Sequence, residues 1–174
     1  MAYPDYKYYI QRDSKSLETE EAVSIEDYFP GCKYLSFDGL SVYGNPKNIT
    51  IEEYPEADEP RVYIPDIIVR ETTDVTLTLY FVGAGRRDVY DDFVNFITGR
   101  KLTYWDTCRN RHVRLLFNNK TTITSDVVKG GKHYMQAEFK FTNLKGSSEN
   151  KDMRKAITYN DMCISFNNLS PTYS

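Results

Sequence analysis

The stretch "GRRDVYDDFVNFITGRKLTYWDT", residues 85–107, joins a predicted helix directly to a predicted strand. Apolar residues recur within it at i, i+4, i+7 and i+8, Asp88 is placed to cap the first turn, and Gly99 suits the left-handed position past the end. These features predict a helix at about residues 88–98. Because so short a helix is marginal alone in water, we expect its apolar stripe to pack on a sheet. The stripe consists of Val89, Phe93, Phe96 and Ile97.

The segments on both sides of this stretch predict antiparallel strands. Residues 75–81 alternate between apolar side chains and Thr or Tyr, which is typical of a half-buried strand. "KLTYW" and "HVRLLF" flank "DTCRNR" and predict a hairpin with a basic turn, while Gly130-Gly131 lies between two further predicted strands. About seven to nine short strands with one packed helix predict a mainly β fold, an antiparallel β-sandwich.

The chain of 174 residues is long enough for one domain with a core. Residues 1–30 combine tyrosines with an acidic run and show no sustained period apart from a short predicted strand at residues 8–12. Residues 147–174 are polar, with one predicted strand at residues 162–166. We therefore expect an N-terminal arm at 1–30, a sandwich domain with the helix at 31–146, and a C-terminal arm at 147–174.

Composition limits the function classes. The net charge is -3, and the three cysteines are widely spaced without a C-x-x-C pair, so neither a disulfide framework nor a zinc site is predicted. The sequence has no apolar leader segment and no run of about 18 apolar residues, so we expect no membrane association. The only histidines, His112 and His133, fall at positions predicted to be exposed. We therefore expect no enzyme, and we assign no catalytic, cofactor-binding or metal-binding residues.

The segment of residues 100–114, which follows the predicted helix, concentrates positive charge beside aromatic side chains. Five bases and one acid lie between Arg100 and Arg114. Interleaved aromatics and arginines grip single-stranded nucleic acid, but Arg and Trp also anchor protein interfaces. Because residues 18–27 and 52–59 are acidic, we favour an interface between subunits over a nucleic-acid site. The predicted interface residues are Tyr104, Trp105, Arg109 and Arg111 on the basic side and Glu20 and Glu21 on the acidic side.

Four segments taken in order resemble the tail-tube and distal-tail group of tailed bacteriophages. They are "GCKYLSFDGLSVYGNPKNITIEEY", "VRETTDVTLTLYFVG", "RRDVYDDFVNFITGRKLTYWDTCRNRHVRLLF" and "GGKHYMQAEFKFTNLKG". The order of a Thr-rich alternating strand, a short helix ending at Gly, an aromatic strand and a final hairpin carries the resemblance. It covers about residues 31–146 and implies a β-sandwich like that of the tail tube, in a short, single-domain form.

The resemblance also implies a function. Members of this group form rings, typically hexameric, around a channel that passes DNA, and the distal-tail members link the tube to the tail tip. The implied partners are further copies of the chain and other tail proteins (tube, tape measure, hub or baseplate), with DNA passing transiently and without specific binding. The implied location is the virion, after assembly in the host cytoplasm.

Three functional readings follow from these observations. We favour a distal-tail ring subunit that acts as a hub or baseplate adaptor, with a tail-tube subunit as the alternative. A carbohydrate-binding β-sandwich, in which Trp105 and tyrosines stack on sugar rings, is an alternative of another class.

Overall fold

The computed structural model describes residues 7–13 and 21–150 of the chain. These residues form ten strands and two helices. In chain order the elements are β1 (Tyr8–Arg12), β2 (Val23–Ser24), α1 (Ile25–Tyr28), β3 (Cys32–Asp38), β4 (Thr50–Glu52), β5 (Arg61–Tyr63), β6 (Thr73–Val82), α2 (Arg86–Ile97), β7 (Lys101–Asp106), β8 (Arg111–Lys129), β9 (Lys132–Asn143) and β10 (Glu149–Asn150).

Eight of the strands form one antiparallel sheet in the order β2-β1-β7-β8-β9-β6-β3, with β10 paired to β8. The 19-residue strand β8 serves two partners, because its first part pairs with β7 and the part from Leu115 onward pairs with β9. β3 and β7, which are far apart in the order of the sheet, face each other across the core. Phe37 of β3 stacks on Tyr104 of β7, with ring centroids 4.5 Å apart. The predicted mainly β, sandwich-like fold is confirmed.

The alternating pattern of the central strands produces the dry face that the sequence predicted. The inward side chains of β6 and β9 lie opposite one another in register, as in Leu77 with Phe139 and Leu79 with Ala137. All of them are at most 2% exposed: Val75, Leu77, Leu79, Phe81, Met135, Ala137, Phe139 and Phe141. The helix that follows β6 packs against this face of the sheet.

The predicted helix is present as α2, and it begins two residues earlier than expected. Gly85 rather than Asp88 occupies the N-cap, and Arg86 and Arg87 at the helix start both bind Asp126 of β8. Phe93 has no exposed surface, and its ring meets that of Phe139 edge to face at 4.9 Å. After the helix, Gly99 adopts φ +73, the left-handed conformation that lets the chain turn into β7.

A second helix, α1, lies within the expected N-terminal arm, where no helix was predicted. Ile10 of β1 and Ile25 of α1 have no exposed surface, and Phe29 meets Phe93 edge to face at 5.2 Å. The described part of residues 1–30 is therefore built into the core. The sequence does not show this because these apolar residues are widely spaced among polar ones, with no period to detect.

The two hairpins that follow α2 have the expected turns. Gly130 and Gly131 both have positive φ, as a tight two-residue turn requires. The two strands predicted before that turn are one strand, β8, in which Asn119 adopts φ 53 beside a break in register between Phe117 and Lys120. The strand predicted at residues 162–166 lies outside the described residues. Neither α1 nor α2 has the length and hydrophobicity of a membrane-spanning helix.

Candidate assembly surfaces

The two aromatic side chains predicted at the interface are largely buried. Tyr104 has no exposed surface, and burial beside Tyr34 raises its pKa far above the ordinary value of a tyrosine. Trp105 points to the opposite side of β7, is 8% exposed, and its ring lies parallel to His112, with centroids 6.2 Å apart. His112 was predicted to be exposed, and this was wrong because it is 7% exposed. β1 covers one edge of β7, pairing Tyr9 with Trp105.

We call residues 100–114, which hold the five bases counted in the sequence, the rim, and two of these bases bind carboxylates of their own chain. Asp106, 1% exposed, accepts hydrogen bonds from the backbone N–H of Arg109 at 3.0 Å and from its Nη1 at 2.9 Å. This carboxylate raises the pKa of Arg109. Arg114 donates through Nη2 to Asp13 at 2.5 Å. Arg111 is half-buried in the turn-side end of β8. The rim therefore offers a partner less free charge than the sequence count indicates.

The acidic run at residues 18–27 is also partly engaged within the chain. Glu26 binds Lys33 at 2.9 Å and accepts the backbone N–H of Tyr34 at 3.0 Å. Asp27 binds Lys7 at 2.6 Å, and this contact lowers the pKa of the carboxyl. Glu21 is exposed, whereas Glu20 lies outside the described residues. Asp27 also lies near the basic turn, because its partner Lys7 donates its backbone N–H to Thr107 Oγ1 at 2.9 Å.

The most exposed apolar region is a segment that we call the blade, residues 47–69. It contains the separate two-stranded sheet of β4 and β5, and every residue from 50 to 64 is exposed. Ile67 is 77% exposed and Tyr63 is 68% exposed. Of the seventeen large hydrophobic side chains that are exposed among the described residues, ten lie at or next to the blade: Val42, Tyr43, Ile51, Tyr54, Val62, Tyr63, Ile64, Ile67, Ile68 and Val69.

The base of the blade is fixed to the sandwich by backbone contacts. Gly44 donates its N–H to the carbonyl of Gly146 at 2.8 Å, and Glu71 donates to the carbonyl of Asn45 at 2.8 Å. The approach is close: a Cβ on Gly44 would lie 1.9 Å from the carbonyl oxygen of Glu71. The side chain of Asn48 then joins the two sides of the blade through Ile67 O at 2.7 Å and Val69 N at 3.0 Å. The blade is thus held at its base and exposed along its body.

A second exposed surface lies on what we call the long hairpin, residues 117–140 of β8 and β9. Lys120 and Lys140 are exposed and directly opposite in register, and Lys129 and Lys132 are likewise paired at the turn. Three exposed apolar side chains lie along the same hairpin, with Val127 on the face of the lysines: Ile123, Val127 and Val128.

Polar contacts with α2 hold the long hairpin in place. Asp126 receives Arg86 at 2.7 Å and Arg87 at 2.5 Å, and these arginines lower its pKa. Arg86 also donates to Nδ1 of His133 at 3.1 Å, and Tyr90 donates to Thr121 at 2.7 Å. One face of the long hairpin therefore belongs to the core, while its far face and its outer edge meet solvent.

The described ranges contain no group of three or more His, Cys, Asp or Glu placed to hold a metal ion. The cysteines of these ranges, Cys32 and Cys108, are free thiols, and burial raises the pKa of Cys32 to about 12. A thiol held protonated in this way is a poor nucleophile. The distinctive features of the described residues are therefore surfaces.

Sequence reasoning named the acids of residues 52–59 as one possible side of an interface, but it did not predict the exposed apolar side chains of the blade or of the long hairpin. Residues 47–69 have the alternating apolar residues and flanking turns of a sandwich strand, and their exposure is visible only in the fold. The available signal was charge, because the acids of residues 52–59 are unusual in a strand with a buried face.

No protein-family model matches the chain, and no curated protein matches it. Among solved structures, that of SPP1 Dit is similar to the structure of this chain. SPP1 Dit is described as a paradigm of the hub adsorption apparatus in phages that infect Gram-positive bacteria. The TM-score is 0.44 and the identity 13%, over 80% of this chain and 50% of that one. The chain thus spans about half the length of SPP1 Dit.

Proposed function

We propose that the chain is a structural subunit of a phage tail and works as part of a ring of identical copies. The observation that carries this proposal is the blade. Soluble monomers rarely leave a contiguous apolar patch of more than a few hundred Å² in water, and larger patches mark sites of association. Ten large hydrophobic side chains stand exposed on or next to one segment whose base is fixed to the core. A partner that covers them is the simplest physical reason for this arrangement.

The kind of assembly that we propose is inferred from the sequence resemblance to the tail-tube and distal-tail group. The order of strand, helix, strand and hairpin that carries it corresponds to β6, α2, β7 with β8, and β9. We therefore propose a distal-tail ring, hexameric in the manner of that group, that links the tail tube to the tail tip. Its other partners would be the tube, tape-measure and hub or baseplate proteins, and its location the virion. The tail-tube role is the closest alternative.

The charge of the chain suits a channel that DNA crosses without binding. At net -3, the chain carries no overall positive charge to hold phosphates. Four exposed lysines lie on the long hairpin, where an acidic partner would neutralise them. Transient passage of DNA is part of the proposal on these grounds.

The predicted rim has a smaller place in this proposal. Arg111 and Trp105 at the turn-side end of the sheet stay candidates for a contact between subunits, as does Arg109 beyond its bond to Asp106. Tyr104 is a core residue, so any effect of its substitution on assembly would come through folding. The carbohydrate-binding alternative loses its main support, because Trp105 has little exposed ring surface for a sugar.

Negative-stain electron microscopy of the purified chain tests the proposed function. We expect closed rings with a central hole, and stacked cylinders would favour the tube role over the distal-tail role. The matched control is the double variant Ile64→Ser and Ile67→Ser, which removes apolar surface from the blade without touching the core. A chain that stays monomeric at every concentration tested would contradict the proposal.

A further inference from the structure

We infer that the blade of one copy docks on the long hairpin of the next copy. The inference rests on the proposed function, because it identifies the two surfaces through which the ring would form. It commits to a second copy of this chain as the occupant of both surfaces. Three independent features of the described residues support it.

The first feature is the distribution of exposed apolar side chains. Outside the blade and its base, seven large hydrophobic side chains are exposed among the described residues. Five of these seven lie on or beside the long hairpin: Val82, Leu116, Ile123, Val127 and Val128. The described residues therefore carry two exposed apolar surfaces, and each could cover the other.

The second feature is the opposite charge of the two surfaces. The blade contains six acids and two bases, a net charge of -4, whereas the long hairpin contains four lysines and two acids, a net charge of +2. One of those two acids, Asp126, is already bound by Arg86 and Arg87. Complementary potentials of this kind select a partner and orient it.

The lysines of the long hairpin are also free to accept an acidic partner. Over residues 7–13 and 21–150, none of the four lysines forms an ion pair, in contrast to Arg109 and Arg114 at the rim. Lys120 and Lys140 face each other directly, and like charges in this position destabilise a strand pair. Acids from a second copy would remove that repulsion. The long hairpin is thus a better receiving surface than the predicted rim.

The third feature is a strand edge. From Phe117 onward, β8 pairs only with β9, so within the described part of the chain its other edge has no strand beside it. Such an edge can take an added strand from another chain. Register breaks at Phe117/Lys120 and Ile123/Ser125 disfavour indiscriminate pairing along it. A partner is then selected by its side chains, which the acidic and apolar blade supplies.

Because the blade and the long hairpin are different surfaces, the contact is head to tail. Each copy offers its blade in one direction and its long hairpin in the other. A contact of this type generates a ring when the rotation closes, and a filament when it does not.

A charge-swap experiment tests this pairing. The blade swap is Glu53→Lys with Glu59→Lys, and the hairpin swap is Lys120→Glu with Lys140→Glu, all at exposed positions. At a concentration where the unsubstituted chain is assembled, we expect each swap alone to lose the assembled species in native mass spectrometry. A one-to-one mixture should regain it, with even numbers of subunits that alternate between the two variants. Asp91→Lys with Asp92→Lys on the exposed face of α2 is the control and should assemble normally.

The outcomes separate this inference from the proposed function. If the unsubstituted chain assembles and both swaps assemble equally well, the pairing is wrong and the ring stands. The same holds if the mixture of folded swaps, checked by circular dichroism, stays monomeric. If the unsubstituted chain does not assemble at all, both the pairing and the proposed function fail.

Discussion

The seam between α2 and the sheet and the blade both contain large apolar side chains, yet these side chains meet opposite environments. Phe93 and Ile97 of α2 have no exposed surface, while Ile64 and Ile67 of the blade are 61% and 77% exposed. Hydrophobic side chains stabilise a protein wherever they leave water, whether the covering surface belongs to the same chain or to another. The difference shows that the apolar side chains of α2 complete the core of this chain, whereas those of the blade are covered by no described residue; in the proposed assembly a second copy covers them.

The long hairpin combines both situations in one element. On its inner side, Met135 and Phe139 have no exposed surface and lie beneath α2. Its outer edge and far face carry lysines and exposed aliphatic side chains. If the blade covers that surface, α2 orients the hairpin for the neighbouring copy, because Arg86 binds Asp126 and Tyr90 donates to Thr121.

We expect the largest effect in the free energy of unfolding, which a substitution in the seam should lower much more than a substitution in the blade. Phe93→Ala should lower the free energy of unfolding by about 3–5 kcal/mol, since it leaves a cavity against Phe29 and Phe139. Ile67→Ala should change it by less than about 0.5 kcal/mol in the monomer. Urea denaturation at low protein concentration measures both. Equal losses would mean that the blade belongs to the folded core.

The next effect concerns association. Ile64→Ser with Ile67→Ser should weaken assembly about 100-fold, because two aliphatic side chains contribute about 1.5 kcal/mol each when buried and each 1.4 kcal/mol is a factor of ten. Size-exclusion chromatography with light scattering over a dilution series measures the shift. Leu35→Ser, at an exposed position outside both surfaces, is the control and should leave assembly unchanged. If the double variant assembles like the unsubstituted chain, the claim that assembly buries the apolar side chains of the blade is wrong.

A smaller effect is expected at the base of the blade. Gly44→Ala would place a Cβ 1.9 Å from the carbonyl oxygen of Glu71, so the base must open while the sandwich keeps its core. We expect faster limited proteolysis within residues 47–69, together with weaker assembly. Gly85→Ala, where the nearest atom to a Cβ is 3.8 Å away, serves as the control. Cleavage in the sandwich rather than in the blade would show that the two regions are not separable.

The smallest effect concerns the anchor between α2 and the long hairpin. Arg86 and Arg87 lower the pKa of Asp126, so its contribution to stability is complete above the unfolded-state pKa of about 3.9 and is lost as pH falls through the lower folded value. Asp126→Asn should therefore be less stable than the unsubstituted chain at neutral pH. That gap should close below about pH 4. Thermal melts of both proteins between pH 2.5 and 7 test this, and a gap independent of pH would exclude the ion pairs as its cause.

Local patterns in the sequence predicted the elements that they determine. The alternation of residues 75–81 and the stripe of α2 are set by the burial of one face, and both appear within two residues of the expected positions. The turns at Gly99 and Gly130-Gly131 follow from backbone conformations that favour glycine.

The remaining features depend on partners that are distant in sequence or lie in another chain. Tyr104 and Trp105 are buried because β1, more than ninety residues earlier, pairs with β7. Ile10 and Ile25 join the core as isolated apolar residues in polar surroundings. Residues 47–69 were predicted to be part of the sandwich domain because exposed apolar residues and core apolar residues look alike in a sequence. The negative charge of the blade distinguishes it from core strands. The structure is needed to interpret this charge, because only the fold shows the positively charged long hairpin as an exposed surface.

Hydrogen exchange measured by mass spectrometry tests the central claim most directly, because it reports which backbone amides become covered on assembly. The unsubstituted assembled chain is compared with the Ile64→Ser, Ile67→Ser monomer. We expect assembly to slow exchange in two places, residues 50–64 of the blade and residues 120–129 of the long hairpin, with little change at the turn of residues 107–110. Slower exchange at that turn alone, with both the blade and the long hairpin unchanged, would contradict the claim that these two surfaces hold the copies together.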